Sequence, residues 1–274
     1  MFITDFEYAN KMLSDFGCMV CHLNTDAGMQ ETDIGCDITF NTVKNNHSSR
    51  HSVTSSTYEN VYTTPFEIMK NPCTNGDDIY MTPQEARALT KWLNRREYHK
   101  FKLYNPYYDM TDICYYGSFN VKQIMLNGQI LGLSLTFTSN APYGFGEEIV
   151  FEAVTSENNE TISIFGDGDE IGVIYPNVKV KCLASGELKI TNKTTGNYVS
   201  IKSCSVDETI YMDGEHEVIT TDNESHEETL YNDFNYEFLD IEIDDSDGCE
   251  NTYEISIPCE ITISYSPIRK VGVH

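Results

Sequence analysis

Residues 81–104, MTPQEARALTKWLNRREYHKFKLY, hold one well-signalled helix in a chain that otherwise reads as strands and turns. Thr82 suits the N-cap, Pro83 the first helical position, and Glu85, three residues after the cap, completes a capping box. Ala86, Leu89 and Leu93 recur at helical spacing, Trp92 lies on the flank of that stripe, and Arg87, Lys91 and Arg95 face away. One short amphipathic helix cannot enclose a core. It must lie on a sheet, with Leu89, Trp92 and Leu93 as its packing residues.

Strand signals fill the rest. Leu131, Leu133, Leu135 and Phe137 alternate with Ser134 and Thr136, and further strands are suggested at 149–153, 161–165, 178–183, 187–192 and 198–202. The longest spans 253–265: Tyr253, Ile255, Ile257, Cys259, Ile261, Ile263 and Tyr265 all fall on odd numbers. Their neighbours are mostly polar, which predicts one strand with a buried and a wet face, and Pro258 marks a bulge or an edge. With no second helix evident, many short strands at regular spacing predict a mainly β fold of sandwich type.

A boundary is expected near 140–148, where Pro142, Gly144 and Gly146 punctuate the chain, giving domains at 1–143 and 147–274 with the last strand free to return to the first. Charge changes at the same place. Residues 1–145 hold 15 acids and 11 bases, whereas 146–274 hold 28 acids and 7 bases of a total net charge of −25. Such a surface repels phosphates and anionic lipid, so specific nucleic-acid binding and membrane association are not expected. The opening MFITDFEYANKMLSDF lacks a basic leader and an apolar core, and no stretch reaches the length of a membrane span. These features predict synthesis in a cytoplasm, where nine cysteines are free, mostly buried thiols.

The helix running into KFKLYNP, then DICYYGSFNV and NGQILGLSLTFTSNAPYGF, resembles the N-terminal domain of distal tail proteins of long-tailed bacteriophages. The opening FEYANKMLSDFGCMV and the later PNVKV and GELKITN segments are similar to the same family, so the resemblance covers most of the chain. It implies a β-sandwich-like, ring-forming domain at 1–143 with one α-helix, and a galectin-like β-sandwich at 147–274. Such a protein is a structural, non-enzymatic component of the virion tail tip, made in the host cytoplasm. Its six-membered ring joins the tail tube and the end of the tape measure protein to a tail-associated lysin or to fibre and receptor-binding proteins. A tail-like particle is the other setting for such a ring. The family's habit of extending a hairpin around the ring makes the polar 42–64 segment a subunit contact, with His47, Arg50, His51, Tyr58 and Tyr62 as candidate interface residues.

The rival reading is a carbohydrate-binding sandwich, with Tyr175, Tyr198, Tyr211, Tyr231 and Tyr236 as stacking platforms. Other patterns carry less. Cys18-Met19-Val20-Cys21-His22 matches C-x-x-C-H, yet in a strand residues i and i+3 point to opposite faces, which does not suit a shared haem or zinc. His47 and His51 lack the intervening glutamate of a zinc helix, and Asp244–Gly248 places Ile243 where a calcium loop needs its first carboxylate. Gly166-Asp167-Gly168 is read as a turn, and Asp222–Glu228 as a solvated acidic loop. No catalytic motif is found, and neither metal nor cofactor is expected.

Overall fold

The computed structural model describes residues 3–23, 36–44, 46, 47, 49–76, 78–105, 112–245 and 248–270. The chain divides into two compact units, Met1–Gly146 with Arg269–His274, and Glu147–Ile268, each with its own apolar core.

The first unit is built on seven antiparallel strands in the order Lys11–Met12, Asp5–Tyr8, His99–Tyr104, Tyr115–Leu126, Gln129–Ser139, Thr63–Lys70, Cys18–Cys21. Its layering comes from one sheet that curls on itself: Val20 N, on the last strand, donates to Thr4 O, just before the Asp5–Tyr8 strand, at 3.2 Å. Asn127 and Gly128, with φ of 51° and 81°, form the tight turn between the two longest strands. Along the first of these strands Gly117 is obligatory, because a Cβ there would collide with the Thr138 carbonyl and the Phe137 ring.

Pro83–Leu93 is the long helix of this unit. Thr82 Oγ1 accepts from Glu85 N at 3.2 Å while Glu85 Oε2 accepts from Thr82 N at 2.7 Å. Such caps contribute about 1 kcal/mol. The Thr82 backbone bond is the main cause that holds the Glu85 carboxyl below the usual carboxylate range. Its other oxygen lies 3.1 Å from Lys70 Nζ, which also meets Asp78 at 2.8 Å, tying the helix start to the Thr63–Lys70 strand. Ala86, Leu89, Trp92 and Leu93 are buried. The Trp92 ring stacks on Phe16 (4.6 Å) and Phe6 (5.8 Å), and its Nε1 donates to Tyr8 O at 2.9 Å. Arg87, Lys91 and Arg96 are exposed and pair with no carboxylate among the described residues, while Arg95 Nε donates to Trp92 O.

The second unit is a sandwich of two antiparallel sheets. One orders Ile149–Val154, Cys259–Tyr265, Asn177–Cys182, Thr209–Asp213 and Val218–Thr221, and the other Glu160–Gly166, Cys249–Ile255, Gly186–Asn192 and Tyr198–Cys204. The single long strand expected at 253–265 is instead two strands in different sheets, broken at Ser256–Pro258. Alternation survives the break because both of these strands turn their odd-numbered residues into the shared interior. Pro258 cannot donate to a ladder, and its carbonyl accepts from Leu183 N at 2.9 Å as the chain crosses over.

Among the described residues three four-residue α-helical turns, Pro72–Asn75, Glu224–Glu227 and Leu230–Asp233, correct the expectation of a single helix. The Asp222–Glu228 run is likewise no plain solvated loop. Asn223 caps its helical turn, and His226 is buried there with Nδ1 2.5 Å from Glu208 Oε1.

Candidate assembly surface

Ile38–Val43 and Ser52–Tyr58 pair as an antiparallel hairpin that joins no other sheet among the described residues. β-Branched Ile, Thr and Val residues favour extended backbone, and local bonds fix the register: Asn41 Nδ2 donates to Ser55 Oγ and Thr54 Oγ1 to Asn41 O, both at 2.9 Å. At the base, Glu59 N donates to Asp37 O at 2.9 Å. The element therefore starts at Ile38, before the polar 42–64 segment, and ends at Tyr58. From Thr63 onward that segment is a core strand.

Ile38 faces Tyr58, Phe40 faces Ser56, and Thr42 faces Val53 across a bulge. Directly paired residues share a face, so Ile38, Phe40 and Val53 form one apolar ridge. Among the described residues nothing covers it: they are 48%, 58% and 58% exposed. A two-stranded ribbon is marginal by itself in water, and one with an open apolar side gains most from a partner. The alternation in I-T-F-N-T-V contains Ile38 and Phe40, but Val53 joins them only through the pairing register.

His47, Arg50 and His51 are exposed around the hairpin's connecting turn. Tyr58 is half-buried at its base, with its ring edge-on to Tyr143 at 6.1 Å. Tyr62 belongs elsewhere. It is buried in the core with its ring stacked 5.7 Å from Tyr115, so it has no surface to offer a neighbouring subunit. Four of the five candidate residues thus lie on or beside one hairpin, and the fifth is buried in the core.

Among the described residues no group of three or more His, Cys, Asp or Glu could hold a metal ion. Burial pushes the Cys18 thiol up to about 11 and the Cys21 thiol up to about 12, so both stay protonated and poor as ligands or nucleophiles. None of the nine cysteines is in a disulfide. Of the five tyrosines considered as platforms, Tyr198 lies under Lys189 Nζ (4.3 Å) and Tyr211 under Lys179 Nζ (5.7 Å). Tyr231 and Tyr236 line a common cleft.

A family model described as a phage tail protein N-terminal domain matches residues 1–141, and one described as a phage tail C-terminal domain matches residues 143–265. No curated protein matches the chain. Among solved structures, the Dit protein (gp 19.1) of phage SPP1 superposes with a TM-score of 0.64 at 12% identity, over 97% of this chain and 99% of that one. It is described as a paradigm of the hub adsorption apparatus in phages that infect Gram-positive bacteria. The phage p2 baseplate in its activated conformation with Sr aligns over 96% and 98% of the two chains, at 11% identity and a TM-score of 0.44. The SPP1 superposition establishes a shared fold across the whole chain.

Proposed function

The chain belongs to the phage tail protein family, and we propose that it serves there as the distal tail hub, a ring that closes the tail tube and carries the tip proteins. As a tail protein it is a structural component of the virion and assembles with other tail proteins. The SPP1 hub fold, spanning both units, supports the finer placement. In this reading six copies form the ring, with the tube and the tape measure end above and a lysin or fibre proteins below. The 1–143 region builds the ring, the galectin-like 147–274 region projects from it, and the protein is made in the host cytoplasm without catalytic duty.

The observation that carries the assembly role is the hairpin with its uncovered ridge of Ile38, Phe40 and Val53. In the ring it lies against the neighbouring subunit, with His47, Arg50, His51 and Tyr58 at or near that contact. Because Asp37 and Glu59 already meet by a hydrogen bond, residues 38–58 can be excised and the ends joined. The shortened protein is expected to keep the wild-type melting temperature and to run as a monomer in native mass spectrometry under conditions where wild type forms rings. Normal ring assembly by the shortened protein would reduce the hairpin to an ornament.

A further inference from the structure

Within the second unit a cleft of about 300 Å³ opens beside the Val218–Thr221 strand. Its lining includes Tyr231, Phe234, Tyr236 and Phe238, with Glu217 and Glu227. Phe234 lies 5.6 Å from Tyr236 and, edge-on, 5.4 Å from Phe238. Tyr231 and Tyr236 on its rim are 61% and 67% exposed.

The Asn235–Tyr236 wall of the cleft is held in place before any ligand arrives. Tyr236 sits at φ 61°, a left-handed conformation disfavoured for a bulky side chain, and its hydroxyl donates to Tyr231 O at 2.6 Å. Between the rings, Asn235 is bonded to the Tyr198–Cys204 strand. Its Oδ1 accepts from Ser200 N, its Nδ2 donates to Tyr198 O, and its own N–H donates to Ser200 O, all at 3.0–3.1 Å. A site held this way loses little entropy on binding.

Charge selects the ligand. Residues 203–268 contain 19 Asp and Glu and no Lys or Arg. Aromatic faces carry negative potential, and two glutamates on the same walls add to it. An anion is repelled there, and a neutral ligand leaves the charge unused. We propose that this cleft binds an organic cation, a methylated ammonium or a guanidinium head on an apolar stem, through cation–π contact with the tyrosine rings and pairing with Glu217 and Glu227. Two sources share that chemistry: a small quaternary amine, and an arginine side chain of a protein docked on this unit. The inference stands apart from the hub assignment, since it concerns the second unit alone.

The test uses the full-length protein and follows the tyrosine ring resonances by NMR. Choline chloride and N-acetyl-arginine methylamide are titrated in parallel with dimethylbutanol, the uncharged carbon isostere of choline, and with galactose. At least one cation is expected to shift the rings and to bind roughly tenfold or more tightly than the isostere, with affinity falling as salt rises. Preference for choline identifies a small amine, and preference for the arginine probe a docked side chain. Tyr231→Leu and Glu227→Gln are each expected to weaken binding severalfold at an unchanged melting temperature. Equal binding of choline and its isostere, tighter binding of galactose, or rings unmoved by every probe would each overturn the proposal.

Discussion

Leu93→Asp is expected to unfold the first unit. Leu93 is fully buried on the inward face of the helix, beside Ala86, Leu89 and Trp92. Removing the leucine forfeits roughly 1.5–3 kcal/mol of apolar burial. A carboxylate in the same place must give up its hydration without a partner or take a proton, and either route costs several kcal/mol more. Against a total stability of about 5–15 kcal/mol for a typical domain, the sum is enough to lose the fold. Trp92 is the only tryptophan and lies in this unit, so its fluorescence reports the first unit alone. The variant should show fully solvated tryptophan emission without denaturant, while the second unit keeps its own melting transition. Native emission with an unchanged melting temperature would mean that the helix does not pack on the sheet.

In the second unit the largest effect is expected at Glu208. Its carboxylate is buried and accepts from Thr221 Oγ1 (2.6 Å), Ser205 N (2.7 Å) and His226 Nδ1 (2.5 Å), with Asn223 Nδ2 at 3.4 Å. Through these bonds one side chain pins a turn, the edge strand Val218–Thr221 and the helical turn after it. Glu208→Ala leaves a buried ring nitrogen and a backbone N–H without an acceptor, at a cost of roughly 3–5 kcal/mol. The expected readout is a large drop in the urea midpoint of the second unit, with the Trp92 signal of the first unmoved.

The same group gives a pH dependence. Burial pushes the Glu208 carboxyl up, but the Thr221 hydroxyl, the Ser205 N–H and His226 together outweigh it and hold the net value below the usual range. A lowered folded value means stabilisation that is complete above the ordinary glutamate range, near about pH 4.3, and is lost as pH falls through the folded value. Wild type should therefore lose second-unit stability on acidification more steeply than Glu208→Ala. Parallel pH profiles for the two proteins would contradict this role.

Much of the fold was legible because local rules and tertiary packing agree. Thr82, Pro83 and Glu85 announce the helix start, and the geometry that forms is the reciprocal cap. Strict alternation from Tyr253 to Tyr265 marks a buried face correctly and says nothing of the sheet to which each half belongs. Period-two patterning is blind to a corner when both sheets face one interior, and Pro258 was the only hint.

Other features depend on contacts far apart in sequence. Nothing near Val20 shows that it reaches Thr4, and nothing near Tyr62 that Tyr115 will cover its ring. His226 hides in D-N-E-S-H-E-E because the acids around it suggest solvent, whereas Glu208, eighteen residues earlier, draws it inward. The hairpin was legible only as a polar segment at 42–64. Its apolar ridge was not, since Ile38 and Phe40 precede the polar run and Val53 enters only through the pairing register.

The central claim, a structural ring at the distal end of a tail, is tested most directly by imaging the particle. Cryo-electron microscopy of intact particles, with the chain located by density fitting, should place six copies as a ring immediately below the tail tube, each hairpin lying against the next subunit. A particle that lacks the chain, or that carries it along the shaft or at the head-proximal end, would contradict the account.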